Sequence, residues 1–234
     1  MTIKIITGTI IAKDVFGGLA KLKSEGLFYQ WYWTKKGWGS KKAKIVSNRS
    51  GFGNEMFNIV QTTGSGKTLL SAIWLYQAHK EGRKTAANMP FSFLDKELDT
   101  FEEFESLKNY HILLDDIKHV ITAWNSKDAK IAAEMSNGSR KKHNEIDIST
   151  QRLENYVPPD IRAITDEIHV PYIRCFDATR KSPDKKNYFP LELCDLRFSA
   201  GMEFLDMKRY NLAGKTGLKI MSTFDTLNIS SRLE

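Results

Sequence analysis

The run Gln61-Thr-Thr-Gly64-Ser-Gly66-Lys67-Thr68 sets two glycines, a lysine and a hydroxyl in the order that a phosphate-binding loop needs. In such a loop the backbone N–H groups of Thr63, Gly64, Ser65, Gly66, Lys67, Thr68 and Leu69 would curl round a β-phosphate at a helix N-terminus, where unpaired donors and the helix dipole favour an anion. Lys67 would reach the β- and γ-phosphates, and the Thr68 hydroxyl would bind Mg²⁺, so the expected cofactors are ATP and Mg²⁺. The pattern G-x-x-x-x-G-K-[ST] has glycine where this chain has Gln61. A Mg²⁺ ion in such a site needs a second anchor, a carboxylate at the tip of a buried strand. His111-Ile-Leu-Leu-Asp115-Asp116 supplies it: Asp115 would hold the metal through water and Asp116 would orient or deprotonate the attacking water. The plainer alternative for this pair is a solvated cap on the next helix. A polar amide, Gln151, closes the short strand Ile146 to Thr150.

These groups act together only if strand ends and a helix N-terminus meet along one edge. From residue 57 onward, short apolar runs alternate with helical patterns, which predicts an α/β domain with a mainly parallel sheet flanked by helices. Phe57 to Val60 reads as a strand, and Gly66 to Lys80 as a helix with the stripe Leu69, Leu70, Ile73, Trp74 and Ala78, ended by Gly82. Lys84 to Met89 reads as a strand stopped by Pro90, Asp95 to Lys108 has helical potential, and Tyr110 to Leu114 is the most apolar strand. Residues 127–142 read as helical, and Ile146–Thr150 and Glu167–Ile173 as strands. Beyond residue 180, Glu192–Phe198, Gly201–Tyr210 and Leu218–Thr226 read as strand, helix and strand. A second Gly-Lys-Thr at 214–216 has Arg209 in the place of the first glycine and reads as a turn.

The chain has 234 residues, 41% hydrophobic and 27% charged, which excludes collagen-like, wholly disordered and membrane-spanning compositions. The two cysteines, Cys175 and Cys194, have no histidine at ligand spacing and read as reduced, buried thiols. The N-terminus shows no long apolar run before a cleavage site, so a cytoplasmic location is expected. The net charge is +7, and residues 1–50 carry 10 Lys/Arg against 2 Asp/Glu. The remainder is close to neutral. The basic segment also holds Phe16, Phe28, Tyr29, Trp31, Tyr32, Trp33 and Trp38, interleaved with Lys35, Lys36, Lys41, Lys42 and Lys44. It reads either as a polyanion footprint or as a strand and turn packed on the main body with lysines in solvent. The expected organisation is an N-terminal basic aromatic segment, 1–50, followed by an ATPase domain, 51–234.

The combination resembles the FtsK–HerA superfamily of DNA-pumping ATPases, particularly the packaging ATPases of archaeal and other tailless viruses and the Zot-like assembly proteins. The residues that carry the resemblance are the Thr-Gly-Ser-Gly-Lys-Thr loop, Asp115-Asp116, Ser149-Thr-Gln151-Arg152, the run Ser139-Arg140-Lys-Lys-His143, and Val157 to Asp166. They span about residues 57–175. The resemblance implies a RecA-like P-loop NTPase fold and a ring, usually of six subunits, that hydrolyses ATP to move double-stranded DNA. It implies a capsid or membrane protein of a virion as a further partner, at an assembling virion in the host cytoplasm. It assigns Gln151 the polar sensor position, and Arg140 the place of an arginine that completes the neighbouring subunit's site. Arg140 also reads simply as an exposed charge at a helix C-terminus. Asp116 stands where the superfamily more often has glutamate. Two other functions fit the same motifs: a membrane-peripheral Zot-like or conjugative export ATPase, and a non-hydrolysing nucleotide-binding scaffold.

Overall fold

The computed structural model describes residues 2–24, 29–34, 37–42, 44–49, 55–60, 65–124, 127–177, 188–212 and 220. In chain order, the N-terminal part forms β1 (Ile3–Thr7), β2 (Thr9–Asp14), α1 (Gly18–Ser24), β3 (Tyr29–Thr34), β4 (Gly37–Lys42), β5 (Lys44–Arg49) and β6 (Glu55–Val60). Then follow α2 (Lys67–Lys80), β7 (Lys84–Ala87), β8 (Lys96–Glu97), α3 (Phe101–Ser106), β9 (Tyr110–Leu114), α4 (Ile117–Ala123) and α5 (Asp128–Ala133). A π-helical turn, Glu134–Gly138, joins α5 to α6 (Ser139–Lys141). The chain continues through β10 (Glu145–Thr150), α7 (Leu153–Tyr156), α8 (Pro159–Ala163), β11 (Glu167–Asp177), β12 (Tyr188–Ser199) and β13 (Phe204–Asn211).

Eight strands form one sheet in the order β13-β12-β11-β1-β10-β9-β7-β8. The six from β11 to β8 run parallel, and β12 and β13 extend the sheet as an antiparallel hairpin. This is the expected mixed α/β architecture with a mainly parallel sheet between helices. A parallel sheet buried on both faces needs strands that are apolar at nearly every position, and Ile112, Leu113 and Leu114 of β9 are wholly buried. On one face α2 sets Leu69, Leu70 and Ile73 against Ile6, Ala87 and Leu113. On the other, Phe101 and Phe104 of α3, Ile117 of α4, Ile131 of α5 and Leu153 of α7 pack on Ile3, Ile5, Ile146 and Ile148. Each such side chain contributes about 1.5–3 kcal/mol on burial.

Three elements differ from the sequence reading. Ile3–Thr7, inside the segment 1–50, is a central strand of the main sheet, between β10 and β11. Phe57–Val60 is a strand, but it pairs antiparallel with β2 and β5 in a separate three-stranded sheet. Gly201–Tyr210 is not helical: Phe204–Asn211 is the edge strand β13, paired with β12. Its burial pattern, with Phe204, Met207 and Tyr210 the more covered residues, repeats every third position and so imitates a helix in the sequence. The acidic stretch Asp95–Lys108 yields β8 and then α3, which starts on a reciprocal cap in which Thr100 accepts from the Glu103 N–H and Glu103 from the Thr100 N–H. The aromatic stretch forms the hairpin β3–β4, with Trp33 opposite Trp38. Residues 213–219 and the basic stretch 181–186 lie outside the described residues, as does Leu218–Thr226 apart from the buried Ile220.

Beneath α2 the sheet carries a chain of ionisable groups, with His111, Asp147, His169 and Asp195 buried. His111 Nε2 is 2.6 Å from Asp147 Oδ2, and Lys4 Nζ lies 4.0 Å from the other Asp147 oxygen. His169 meets Asp195 at 2.9 Å and Glu167 at 3.2 Å, and Arg197 donates to Glu167 at 3.0 Å. Trp74 of α2 covers the group, its ring edge-on to His169 at 4.7 Å and beneath Lys4 Nζ at 4.8 Å. Cys194 is buried in the core.

Candidate nucleotide-binding site

Helix α2 begins on Gly66, whose φ of 101° lies in the left-handed region, and no side chain caps it. Its first N–H groups are therefore left for an external acceptor. A Cβ on residue 66 would stand 2.6 Å from Leu193 Cδ1 and 3.0 Å from Ile173 Cγ1, so both conformation and space require glycine. The Ser65 hydroxyl just before it is buried and has no hydrogen-bond partner among the described residues. Lys67 is 7% exposed, and its Nζ donates to Gln151 Oε1 at 3.0 Å. Burial pulls the Lys67 ammonium below its ordinary pKa, and the negative charges of Asp115 and Asp116 work against that.

The carboxylates stand at the carboxyl end of β9, the edge where parallel α/β sheets bind ligands. Asn88, just past β7, brackets the Asp115 backbone: its Nδ2 donates to the Asp115 carbonyl at 2.8 Å, and its Oδ1 accepts from the Asp115 N–H at 2.6 Å. On the other side the Ser149 hydroxyl donates to Asp115 Oδ1. Among the described residues no hydrogen bond engages Asp115 Oδ2. Burial raises the Asp115 pKa; the Ser149 hydrogen bond and the Lys67 charge pull it back, and the neighbouring Asp116 pushes it further up. Asp116 sits at φ 47°, a left-handed position that Asp tolerates, and begins α4. Its carboxylate is 39% exposed and 3.5 Å from His119 Nε2, so it faces solvent where a water could be held.

Lys67, Gln151, Asp115 and Ser149 thus converge, with Asp116 beside them at the same strand end. Thr68 and Leu69 follow in the first turn of α2; Leu69 packs into the core, so only its backbone can serve a ligand. Thr63 and Gly64 lie outside the described residues. Arg140 is not brought to the group. It is exposed on α6, which leads through Lys142 and His143 to the start of β10, whereas Gln151 follows that strand's end. Asn88 and Ser149 were not singled out as site residues from the sequence. Their signal there is a polar side chain at the end of an apolar strand, the same signal that marks Gln151.

The donors fit a hard divalent cation. Thr68 and Asp115 offer only oxygen, the ligand that Mg²⁺ prefers, and Asp115 Oδ2 has no hydrogen bond among the described residues. Such an ion would supply charge neutralisation for phosphate oxygens. The chain itself supplies the remaining parts: backbone donors for a phosphate, a lysine ammonium and an amide beside it, and an exposed carboxylate able to take a proton from water.

No protein-family model matches the chain, and no curated protein sequence does. Among solved structures, the chain is similar to the genome packaging NTPase B204 from Sulfolobus turreted icosahedral virus 2 in complex with sulfate. That likeness has 11% identity and a TM-score of 0.36, covering 90% of this chain and 96% of that one. The same NTPase in complex with ATPγS gives 12% identity and a TM-score of 0.26 over 90% and 97% of the two chains.

Proposed function

We propose that the protein is an ATP-hydrolysing DNA translocase of the FtsK–HerA type, a viral genome-packaging motor that moves double-stranded DNA into a capsid. The observation that carries the reading is the Lys67–Gln151 contact at 3.0 Å, with Asp115 and Asp116 at the neighbouring strand end. That arrangement joins a phosphate-binding lysine, a polar sensor and a pair of acids along one sheet edge, the parts phosphoryl transfer to water requires. In this reading Lys67 and the loop backbone grip the β- and γ-phosphates, and Thr68 and Asp115 hold Mg²⁺. Asp116 accepts the proton of the attacking water, and Gln151 senses the γ-phosphate. Arg140, far from its own chain's site, acts on the neighbouring subunit in a ring of six, where it stabilises transition-state charge. The basic excess of residues 1–50 offers the polyanion an electrostatic footprint. Among the described residues no helix is long and apolar enough to cross a membrane, and the reading places the motor in the host cytoplasm at the assembling virion.

The test is ATP turnover against protein concentration, with and without double-stranded DNA, for wild type, Asp116→Ala and Arg140→Ala. Turnover should rise with assembly, increase with DNA, and fall by about 10²–10⁴-fold in Asp116→Ala with nucleotide binding intact. Arg140→Ala should fall by a similar factor, and mixing it with Asp116→Ala subunits should restore part of the rate. Turnover indifferent to DNA, concentration and Arg140 would overturn the motor reading.

A further inference from the structure

The strand that should feed the phosphate loop is not the one next to it in sequence. A phosphate loop runs from the end of a strand inside the sheet to the helix packed on that same sheet. Strand β6 precedes the loop but belongs to the separate sheet with β2 and β5. The strand that occupies the feeding position is β1. It lies beside β10 in parallel register, with Thr7 opposite Thr150, so Gly8 comes next along the edge where Gln151 follows Thr150. Gln151 in turn receives the Lys67 ammonium. Ile6 of β1 packs in one cluster with Leu69, Leu70 and Ile73 of α2. Gly8 itself is buried, in a bend, with the Thr7 hydroxyl donating to the Thr9 carbonyl at 3.2 Å.

Between Gly8 and Thr62 the chain leaves and returns at one point. Thr9 is the antiparallel partner of Val60, and the pairing continues to Asp14 and Glu55. Such partners lie about 4.5–5.5 Å apart, little more than the 3.8 Å between neighbouring residues of a chain. Read with residues 9–61 removed, the sequence becomes Gly8-Thr62-Thr63-Gly64-Ser65-Gly66-Lys67-Thr68. Every fixed position of G-x-x-x-x-G-K-[ST] is then filled, including the glycine that Gln61 does not provide.

We propose that the phosphate loop is split: Gly8 is its first glycine, approached by the β-phosphate of a nucleoside triphosphate, and residues 9–61 are a module inserted within the loop. This rests on the nucleotide-binding reading above. The described part of the module packs on the main body. Ile10, Ala12, Leu19 and Ile59 join the core on the sheet face opposite α2, and the Lys13 N–H donates to the Met202 carbonyl at 2.8 Å. It also carries 9 Lys/Arg against 3 Asp/Glu, most of the chain's positive excess. The insertion therefore joins a segment rich in basic residues to the two halves of the loop.

The test is titration of the full chain with a fluorescent ATP analogue, with competition by inorganic pyrophosphate and a thermal melt for each variant. Gly8→Val, which puts a branched side chain where the phosphate would approach, should weaken binding by about tenfold or more, whereas Gln61→Gly should leave it within about twofold. A variant joining Gly8 to Thr62 should keep wild-type affinity within about threefold. Wild-type affinity in Gly8→Val, or tightening of tenfold or more in Gln61→Gly, would overturn the split loop even if the joined variant fails to fold. Absence of binding by the wild type would instead overturn the nucleotide reading on which it rests.

Discussion

Replacing Gly66 by alanine measures how tightly the start of α2 is held against the sheet. Two costs add. The backbone stands at φ 101°, and an L-residue in the left-handed region costs about 1–2 kcal/mol. The new Cβ would also lie 2.6 Å from Leu193 Cδ1 and 3.0 Å from Ile173 Cγ1. Both neighbours are buried, at 0% and 6% exposure, and can yield only by leaving their rotamers, an overpacking cost of about 1–3 kcal/mol. The sum is about 2–5 kcal/mol, a large part of a typical 5–15 kcal/mol stability. Gly82 is the internal control, because its φ is 79° but nothing lies within 4 Å of its would-be Cβ. Gly82→Ala should cost about 1–2 kcal/mol from conformation alone. At about 2–4 °C per kcal/mol for a chain of this size, the melting temperature should drop by about 4–20 °C for Gly66→Ala and about 2–8 °C for Gly82→Ala. Urea unfolding followed by circular dichroism gives the free energies directly. If Gly66→Ala proves no more costly than Gly82→Ala, the claimed contact with Leu193 and Ile173 is wrong.

Two further outcomes follow from the charged groups. Burial raises the Asp115 pKa above 3.8 in the folded protein, so its ionised form is penalised at neutral pH, and each unit of elevation is worth about 1.4 kcal/mol. Asp115→Asn should therefore be at least as stable as wild type at pH 7, with the advantage shrinking toward pH 4; lower stability at pH 7 by urea unfolding would contradict this. For Glu167, burial pushes the carboxyl up, but the hydrogen bond and charge of Arg197, with a further contribution from His169, hold the pKa below 4.5. Its stabilisation is therefore present above about pH 4.5 and lost as the pH falls through the folded value. Wild type should lose urea resistance more steeply below pH 4.5 than Arg197→Met, and parallel curves would remove Arg197 as the cause.

The parts of the site that were legible are those where local pattern and tertiary role coincide. Tyr110–Leu114 reads as a buried strand because Ile112, Leu113 and Leu114 form an unbroken apolar run, and Asp115-Asp116 must then fall at its end. Helix α2 is legible from Leu69, Leu70, Ile73 and Trp74, with Gly66 and Gly82 as its limits. Strand β1 was missed because five residues carry too little periodicity, and Lys4 interrupts them; only the sheet shows Lys4 lying over Asp147 and against Trp74. Phe57–Val60 was legible as a strand, but no local pattern states which sheet a strand joins. Edge strand β13 deceived for a physical reason: with water on much of it, its covered positions recur at three-residue spacing. Asn88 and Ser149 escaped because their roles exist only across strands, in contacts to a backbone and a carboxylate tens of residues away.

The π-helical turn between α5 and α6 acts as a phase shifter for everything after it. One extra residue in a turn rotates the following side chains by about 100° relative to an uninterrupted α-helix. Here that rotation leaves Ser139 wholly buried and Arg140 in solvent. The wide turn is held by Gly138, where a Cβ would collide with the Glu134 carboxylate, and by Lys142, whose Nζ donates to Glu134 at 2.7 Å. The direction in which Arg140 points is thus set by a glycine two residues before it and by an ion pair that brackets it, between Glu134 six residues before and Lys142 two residues after. A single-residue deletion in Glu134–Gly138 would turn the arginine through most of a right angle and more without changing its identity, its helix or its neighbours in sequence.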